Sequence, residues 1–263
     1  MRFFFIIFFI IFQNNNSYTR EINYIAHAGG EINGTRYTNS LDAVKQSIIL
    51  GYKFIEIDLH LSSDGYFYGF HDFTNSLILK NEKDSQIIYN FKNKFNSHNI
   101  TKNDLILLNK KLKYPLILEE DIVNIFNSNT ELNLVTDKTQ NFKELNDKFK
   151  FMNSRLYIEI TTKKSYLKSL FYPFENKIFL TPTFNFIDRF FVRLFKIKKV
   201  VFHKDLLNME VVKKRLKKYK KNYNIDLFIY TVNAEDNLTF YSEYSDFIYT
   251  DNILLKNNNN LIK

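Results

Sequence analysis

Two histidines and a pair of carboxylates, each at or near the end of a short apolar run, carry the chemistry open to this chain. His27 closes Asn23-Tyr24-Ile25-Ala26, and His71 closes Tyr66-Phe67-Tyr68-Gly69-Phe70. Glu56 and Asp58 alternate with apolar residues in Phe54-Ile55-Glu56-Ile57-Asp58-Leu59-His60. In an extended chain alternate side chains share a face, so Glu56, Asp58 and His60 project together and Ile55, Ile57 and Leu59 project oppositely. Two carboxylates on one strand face repel each other and are costly to bury unless a cation compensates them. An all-oxygen pair selects a hard divalent cation, Mg²⁺ or Ca²⁺, over zinc. A lone Glu-x-Asp reads more simply as the polar outer face of an exposed strand. His27-Ala28-Gly29-Gly30 on one side and His71-Asp72 on the other turn the reading toward a site.

The elements that must hold these residues alternate along the chain. Strands are expected at Asn23–His27, Phe54–His60, Leu132–Thr136, Leu156–Ile160, Lys177–Leu180, Lys199–Phe202, Leu227–Tyr230 and Asp246–Tyr249. Helical stretches lie between most of them, among them one capped by Ser40 with Leu41, Val44, Ile48 and Ile49 as its buried stripe. Eight such strands predict an α/β fold, a single-domain (β/α)₈ TIM barrel, and 263 residues suit its size. An open doubly wound sheet is the rival architecture, but no Gly-x-Gly-x-x-Gly follows any strand. Residues 74–114 are polar and weakly periodic and read as an irregular insertion near the barrel mouth. On this division residues 23–256 form the barrel and 257–263 an Asn-rich tail.

Residues 1–22 stand apart. Met1-Arg2 precedes an apolar run of ten residues, Phe3 to Phe12. That is short of the ~20 residues a membrane span needs and within the ~7–15 of an export-signal core, so an exported or membrane-anchored protein is expected. The chain has no cysteine, which excludes disulfides and thiolate chemistry. Its net charge of +9 suits a phosphate-bearing substrate or an anionic membrane surface. Nucleic acid is not expected, since no recognisable binding module accompanies the charge. Two stretches concentrate the cations: Lys213-Lys214-Arg215-Leu216-Lys217-Lys218-Tyr219-Lys220-Lys221, and the apolar and basic Phe190-Phe191-Val192-Arg193-Leu194-Phe195-Lys196. Both suit an anionic bilayer, although each alone reads as a barrel-covering helix with a solvated outer face.

The spacing of the landmarks resembles that of the glycerophosphodiester phosphodiesterase family, in the superfamily that includes phosphatidylinositol-specific phospholipase C. That family's pattern is His-Arg-Gly, Pro-Glu-Asn-Thr, Glu-x-Asp, Asp-Gly and His-Asp. Here the same order reads His27-Ala28-Gly29, Tyr37-Thr38-Asn39-Ser40, Glu56-Ile57-Asp58, Asp64-Gly65 and His71-Asp72. Pro115-Leu116-Ile117-Leu118-Glu119-Glu120, Tyr230-Thr231-Val232-Asn233 and Tyr249-Thr250-Asp251 extend the likeness to about residue 252. The resemblance implies a metal-dependent hydrolase of glycerophosphodiesters or phospholipid-derived diesters. It assigns the acid/base pair to His27 and His71 and the metal to Glu56 and Asp58. The family's third ligand is a Glu in Ile-Glu-x-Lys; here the strand ends Thr136-Asp137-Lys138, so the role passes to Asp137, and Lys138 becomes a candidate phosphate contact.

Glu159 and Tyr230, at later strand ends, are expected to line the substrate pocket, with Glu159 as a reserve ligand; His60, on the Glu56 face, is a further candidate for the pocket, its other reading being a packed, hydrogen-bonded histidine. His98, His203, Asn233 and Asp251 are expected to be structural. Ala28 and Thr38 stand where the family has Arg and Glu. Their joint change suggests a site rebuilt around other phosphate contacts, Lys138 or Arg36, and opened to a bulkier or lipidic diester. Two other readings are a phospholipase C-like enzyme releasing a cyclic phosphate, and a non-catalytic exported barrel acting as a binding protein.

Overall fold

Short runs rich in Ile, Val, Phe and Leu, each followed by a polar turn and an amphipathic stretch, build the alternating architecture. A computed structural model describes residues 22–255. β1 (Asn23–Ala26) leads through α1 (Leu41–Ile49) to β2 (Phe54–Glu56). The hairpin strands β3 (Leu59–Leu61) and β4 (Phe67–Gly69) follow, then α2 (Ser85–Asn96), α3 (Lys102–Asn109) and α4 (Glu119–Ser128). Strand and helix then alternate through β5 (Asn133–Thr136), α5 (Phe142–Phe149), β6 (Leu156–Ile160), α6 (Lys163–Ser169), β7 (Asn176–Leu180) and α7 (Phe186–Leu194). β8 (Lys199–His203), α8 (Glu210–Tyr223), β9 (Asp226–Tyr230), α9 (Leu238–Ser242) and β10 (Phe247–Thr250) complete the series. Eight parallel strands close in the order β1-β2-β5-β6-β7-β8-β9-β10, the expected barrel.

Alternation divides each strand between two cores. Ile25, Phe54, Val135, Ile178, Val201, Phe228, Phe247 and Tyr249 fill the barrel interior, with Phe228 stacked on Phe247 at 4.1 Å. Ile55, Leu134, Ile158, Val200, Leu227 and Ile248, on the opposite faces, meet the helices. Each such side chain contributes roughly 1.5–3 kcal/mol on burial, which makes a register slip in any strand costly. Ser40 caps α1 through the Ala43 amide as anticipated. Of its expected stripe, Val44 is fully buried and Leu41 and Ile48 pack partly buried against the core, whereas Ile49 is exposed and Ala43 and Ser47 face inward instead.

Two expectations are corrected. Residues 74–114 are not irregular: α2 and α3 pack on the β3–β4 hairpin around a second apolar cluster that includes Phe70, Phe91, Leu105 and Leu112. Thr101 and Asp104 form a reciprocal capping box at the start of α3, a local signal hidden by the surrounding Asn and Lys. The run 54–60 is not one strand either. β2 ends at Glu56, and Leu59-His60-Leu61 turns away to pair antiparallel with Phe67–Gly69. The expected export segment and the Asn-rich tail lie outside the described residues, apart from Ile22 and the chain up to Leu255. Among the described residues no helix is long and apolar enough to cross a membrane.

Candidate active site at the barrel mouth

The interior residues fix what stands at the mouth, because two residues further along each strand the side chain faces inward again. Beyond Ile25 comes His27, beyond Phe54 Glu56, beyond Val135 Asp137, and beyond Tyr157 Glu159. On the other side Ile178 is followed by Leu180, Val201 by His203 and Phe228 by Tyr230. All seven line one cavity of about 390 Å³, together with Asp58, His71, Lys138, Tyr37 and Tyr249. This is the C-terminal end of the strands, where a (β/α)₈ barrel collects its reacting groups.

Glu56, Asp58 and Asp137 each offer an oxygen within 4.8 Å of the others. The backbone positions them closely. Ala28, at φ +48°, donates its amide to Glu56 Oε2 at 2.6 Å. The following turn needs glycine: a Cβ on Gly30, at φ +92°, would lie 2.3 Å from Ser47 Oγ. Asn39 clamps Asp58, donating from Nδ2 to Oδ2 at 2.7 Å and accepting the Asp58 amide at 2.9 Å. Burial, reinforced by Asp58 and Asp137, holds the Glu56 carboxyl well above its ordinary range, and burial with Asp58 pushes Asp137 up to about 7. Lys138 Nζ lies 3.3 Å from Asp58 and 3.4 Å from Asp137. Glu56 Oε1 and Asp137 Oδ1 are nonetheless buried with no hydrogen-bond partner among the described residues. Three crowded carboxylates with two orphaned oxygens match the donor set of a hard divalent cation.

His27 and His71 are each held by their own carboxylate. His27 Nδ1 lies 3.0 Å from Asp251 Oδ1, and Asn233 donates from Nδ2 to the other Asp251 oxygen at 2.9 Å. Burial acts to raise Asp251, but the hydrogen bond and charge of His27 outweigh it and bring the carboxyl below its usual range. His71 Nδ1 lies 2.7 Å from Asp72 Oδ2, and Asp72 is fixed in turn by the amides of Thr74 and Asn75. With Nδ1 engaged on both rings, Nε2 is the atom left to exchange a proton. Both imidazoles pack on the Tyr37 ring, His27 edge-on at 5.1 Å and His71 tilted at 4.8 Å.

No protein-family model matches the chain, and no curated protein matches it. Solved structures do. A Galdieria sulphuraria protein assigned as a glycerophosphodiester phosphodiesterase superposes with a TM-score of 0.65 at 15% identity, over 88% of this chain and 94% of that one. The fold is that of the glycerophosphodiester phosphodiesterases. The Thermotoga maritima glycerophosphodiester phosphodiesterase gives a TM-score of 0.59 at 18% identity, covering 88% of this chain and 95% of its own. An Oleispira antarctica phosphodiesterase, solved with the product sn-glycerol-3-phosphate, gives 0.59 at 17% identity over 89% and 94%. At these identities the likeness is one of fold, and the chemistry rests on the residues themselves.

The mouth gathers His27, His71, Glu56, Asp58, Asp137, Lys138, Glu159 and Tyr230 into one cavity. Glu159 stands outside the ligand triplet: it accepts a hydrogen bond from the Tyr249 hydroxyl, and burial, then Asp137, pushes it up to about 8. His60 is not at the cavity. It is carried off with the hairpin and packs among Tyr68, Phe70 and Phe95, where burial pushes it down to about 4. Arg36 is taken up by Glu31 at 3.0 Å and by Glu235 at 3.4 Å, so Lys138 is the one lysine or arginine lining the cavity among the described residues. Ala28 is fully buried and is not among the residues lining the cavity. Thr38 is satisfied by Ser40 Oγ at 2.9 Å. His203, expected to be structural, lines the cavity, its ring against Tyr230 at 5.4 Å. Its placement two residues after the interior Val201 is the signal that marks it.

Proposed function

We propose that this chain is a metal-dependent phosphodiesterase of the glycerophosphodiester type. The observation that carries the reading is the triplet Glu56, Asp58 and Asp137 in one cavity with two imidazoles, each oriented by a carboxylate. Glu56, Asp58 and Asp137 would hold Mg²⁺ or Ca²⁺. Bound there, the ion supplies positive charge to the non-bridging phosphate oxygens as negative charge builds on them.

The chain's own groups do the rest. One imidazole takes the proton of the attacking hydroxyl at Nε2, and the other gives its Nε2 proton to the departing alkoxide. Asp251 and Asp72 keep each ring in the tautomer that presents Nε2 and stabilise its protonated form. Lys138 offers the phosphate a cation beside the ligand triplet. Leu180, His203 and Tyr230, across the cavity, give the alcohol portion an apolar and aromatic wall. That wall, rather than the position of Ala28, is where a bulkier or lipid-derived diester is accommodated.

Phosphorus NMR over a panel of diesters, from glycerophosphocholine to lysophospholipids, with Mg²⁺ or Ca²⁺ and after chelation, tests the proposal. A monoester signal that appears only with the metal is the expected result. A lasting cyclic phosphate would make the enzyme phospholipase C-like. Retained metal binding with no turnover of any diester would return the barrel to a binding role.

A further inference from the structure

Helices α7 and α8 carry surface that the site chemistry does not use. On α7, Phe186, Ile187, Phe190 and Leu194 are each more than half exposed, and their spacing puts them on one helical face. Beside them runs a groove of about 440 Å³ between the two helices, lined by Arg189 and Arg193 of α7 and Arg215, Lys218 and Tyr219 of α8. The acids of these helices are already committed, Asp188 to Lys163 at 2.6 Å and Glu210 to Lys213 at 2.7 Å. No ion pair forms on Arg189, Arg193, Arg215 or Lys218 among the described residues. Arg189 Nη1 is buried with no hydrogen-bond partner among them.

We infer that this face docks on an anionic lipid bilayer. A helix that merely covers the barrel would turn polar residues to water, and a groove for a free phosphate would leave four apolar side chains exposed for no gain. An anionic bilayer satisfies both halves. Guanidinium and ammonium groups meet headgroup phosphates, while Phe186, Ile187, Phe190 and Leu194 enter the headgroup–acyl boundary. The position also has a use. α7 follows β7, whose last residue Leu180 lines the cavity, so Phe186 and Ile187 stand at the mouth end of that helix. The docked face is thus on the side of the Leu180, His203 and Tyr230 wall. Delivery of a lipid-derived diester to that wall rests on the phosphodiesterase reading; docking itself does not.

Co-sedimentation of the full chain with phosphatidylcholine vesicles, with and without phosphatidylserine, at low and high salt, tests the inference. The readout needs no turnover, so it stands or falls apart from the catalytic proposal. Wild type is expected to bind better when phosphatidylserine is present, and salt should remove that gain. In Arg193→Glu/Lys218→Glu the phosphatidylserine-dependent affinity should fall by about tenfold or more. Phe186→Ser/Phe190→Ser should lose binding that salt does not remove. An unchanged thermal midpoint in both variants establishes that they fold. Equal binding to both vesicle types, or variants that bind as wild type does, overturns the inference. So does a wild-type dimer that these substitutions dissociate, because a second copy would then cover the face.

Discussion

The two walls of the cavity are built on opposite principles. On the β1, β2 and β5 side the polar side chains are buried or part-buried and held by a second group, Glu56 by the Ala28 amide, Asp58 by Asn39 and His27 by Asp251, while one oxygen each of Glu56 and Asp137 is left without a hydrogen-bond partner among the described residues. On the β7, β8 and β9 side Leu180, His203 and Tyr230 are more open: His203 meets Tyr230 ring edge to ring and pairs with its exposed chain neighbour Asp205 at 3.1 Å. The first wall requires fixed charge and geometry, which only over-determined hydrogen bonding supplies. The second requires shape, which tolerates change. Mutations on the two walls should therefore act on different kinetic constants.

The sharpest test lies on the first wall. His27→Ala and His71→Ala should each lower turnover by ~10²–10⁴-fold. A nitrophenyl diester, whose leaving group departs without a proton, should rescue only the variant that lacks the acid; equal rescue of both would remove the division of labour. Asp58→Asn keeps the shape but removes charge, and calorimetry should show metal affinity falling by more than about a hundredfold, with turnover following it. Asp251→Asn should cost less, on the order of tenfold to a hundredfold. Its pattern of nitrophenyl rescue should copy that of His27→Ala, since Asp251 acts through that ring.

On the second wall, Tyr230→Ala and His203→Ala should raise KM by about 2–10-fold while kcat stays nearly constant. A collapse of kcat in either would erase the contrast between the walls. The smallest effect belongs to the cavity floor. Burial raises Glu159 to about 8, so between its ordinary pKa and that value the folded, metal-free protein keeps a proton that the unfolded chain releases. Stability then falls as pH rises through this window. Glu159→Gln cannot titrate and still accepts from Tyr249, so its thermal midpoint should gain on wild type from pH 5 to pH 8.

The same contrast governs what is legible in the sequence. The positions of all eight barrel strands, and His27 and Asp137 at strand ends, follow from alternation and spacing, because buried parallel strands tolerate little else, whereas the end of β2 at Glu56 does not. His60 misleads because nothing in Ile57-Asp58-Leu59 marks the break that turns the chain into the hairpin. Asp251 looks structural since its partner His27 is 224 residues away and the pairing exists only once β1 and β10 close the barrel. α2 stays hidden because Ile87, Ile88, Phe91 and Phe95 form a narrow stripe in Asn- and Lys-rich sequence.

The packing of α2 and α3 on the hairpin has a consequence for how such a site can be varied. Phe70, one residue before His71, sits against Phe73, Phe91 and Phe95 of that appended unit, whereas His27 is tied to the closing strands of the barrel. The two histidines proposed to transfer protons are thus anchored to different parts of the fold and meet at the Tyr37 ring. Exchanging the cassette between Phe73 and Tyr114 for a longer or shorter one should shift His71 against His27 while leaving Glu56, Asp58 and Asp137 on the barrel. The appended unit is therefore the part to vary when diesters of different girth are the target.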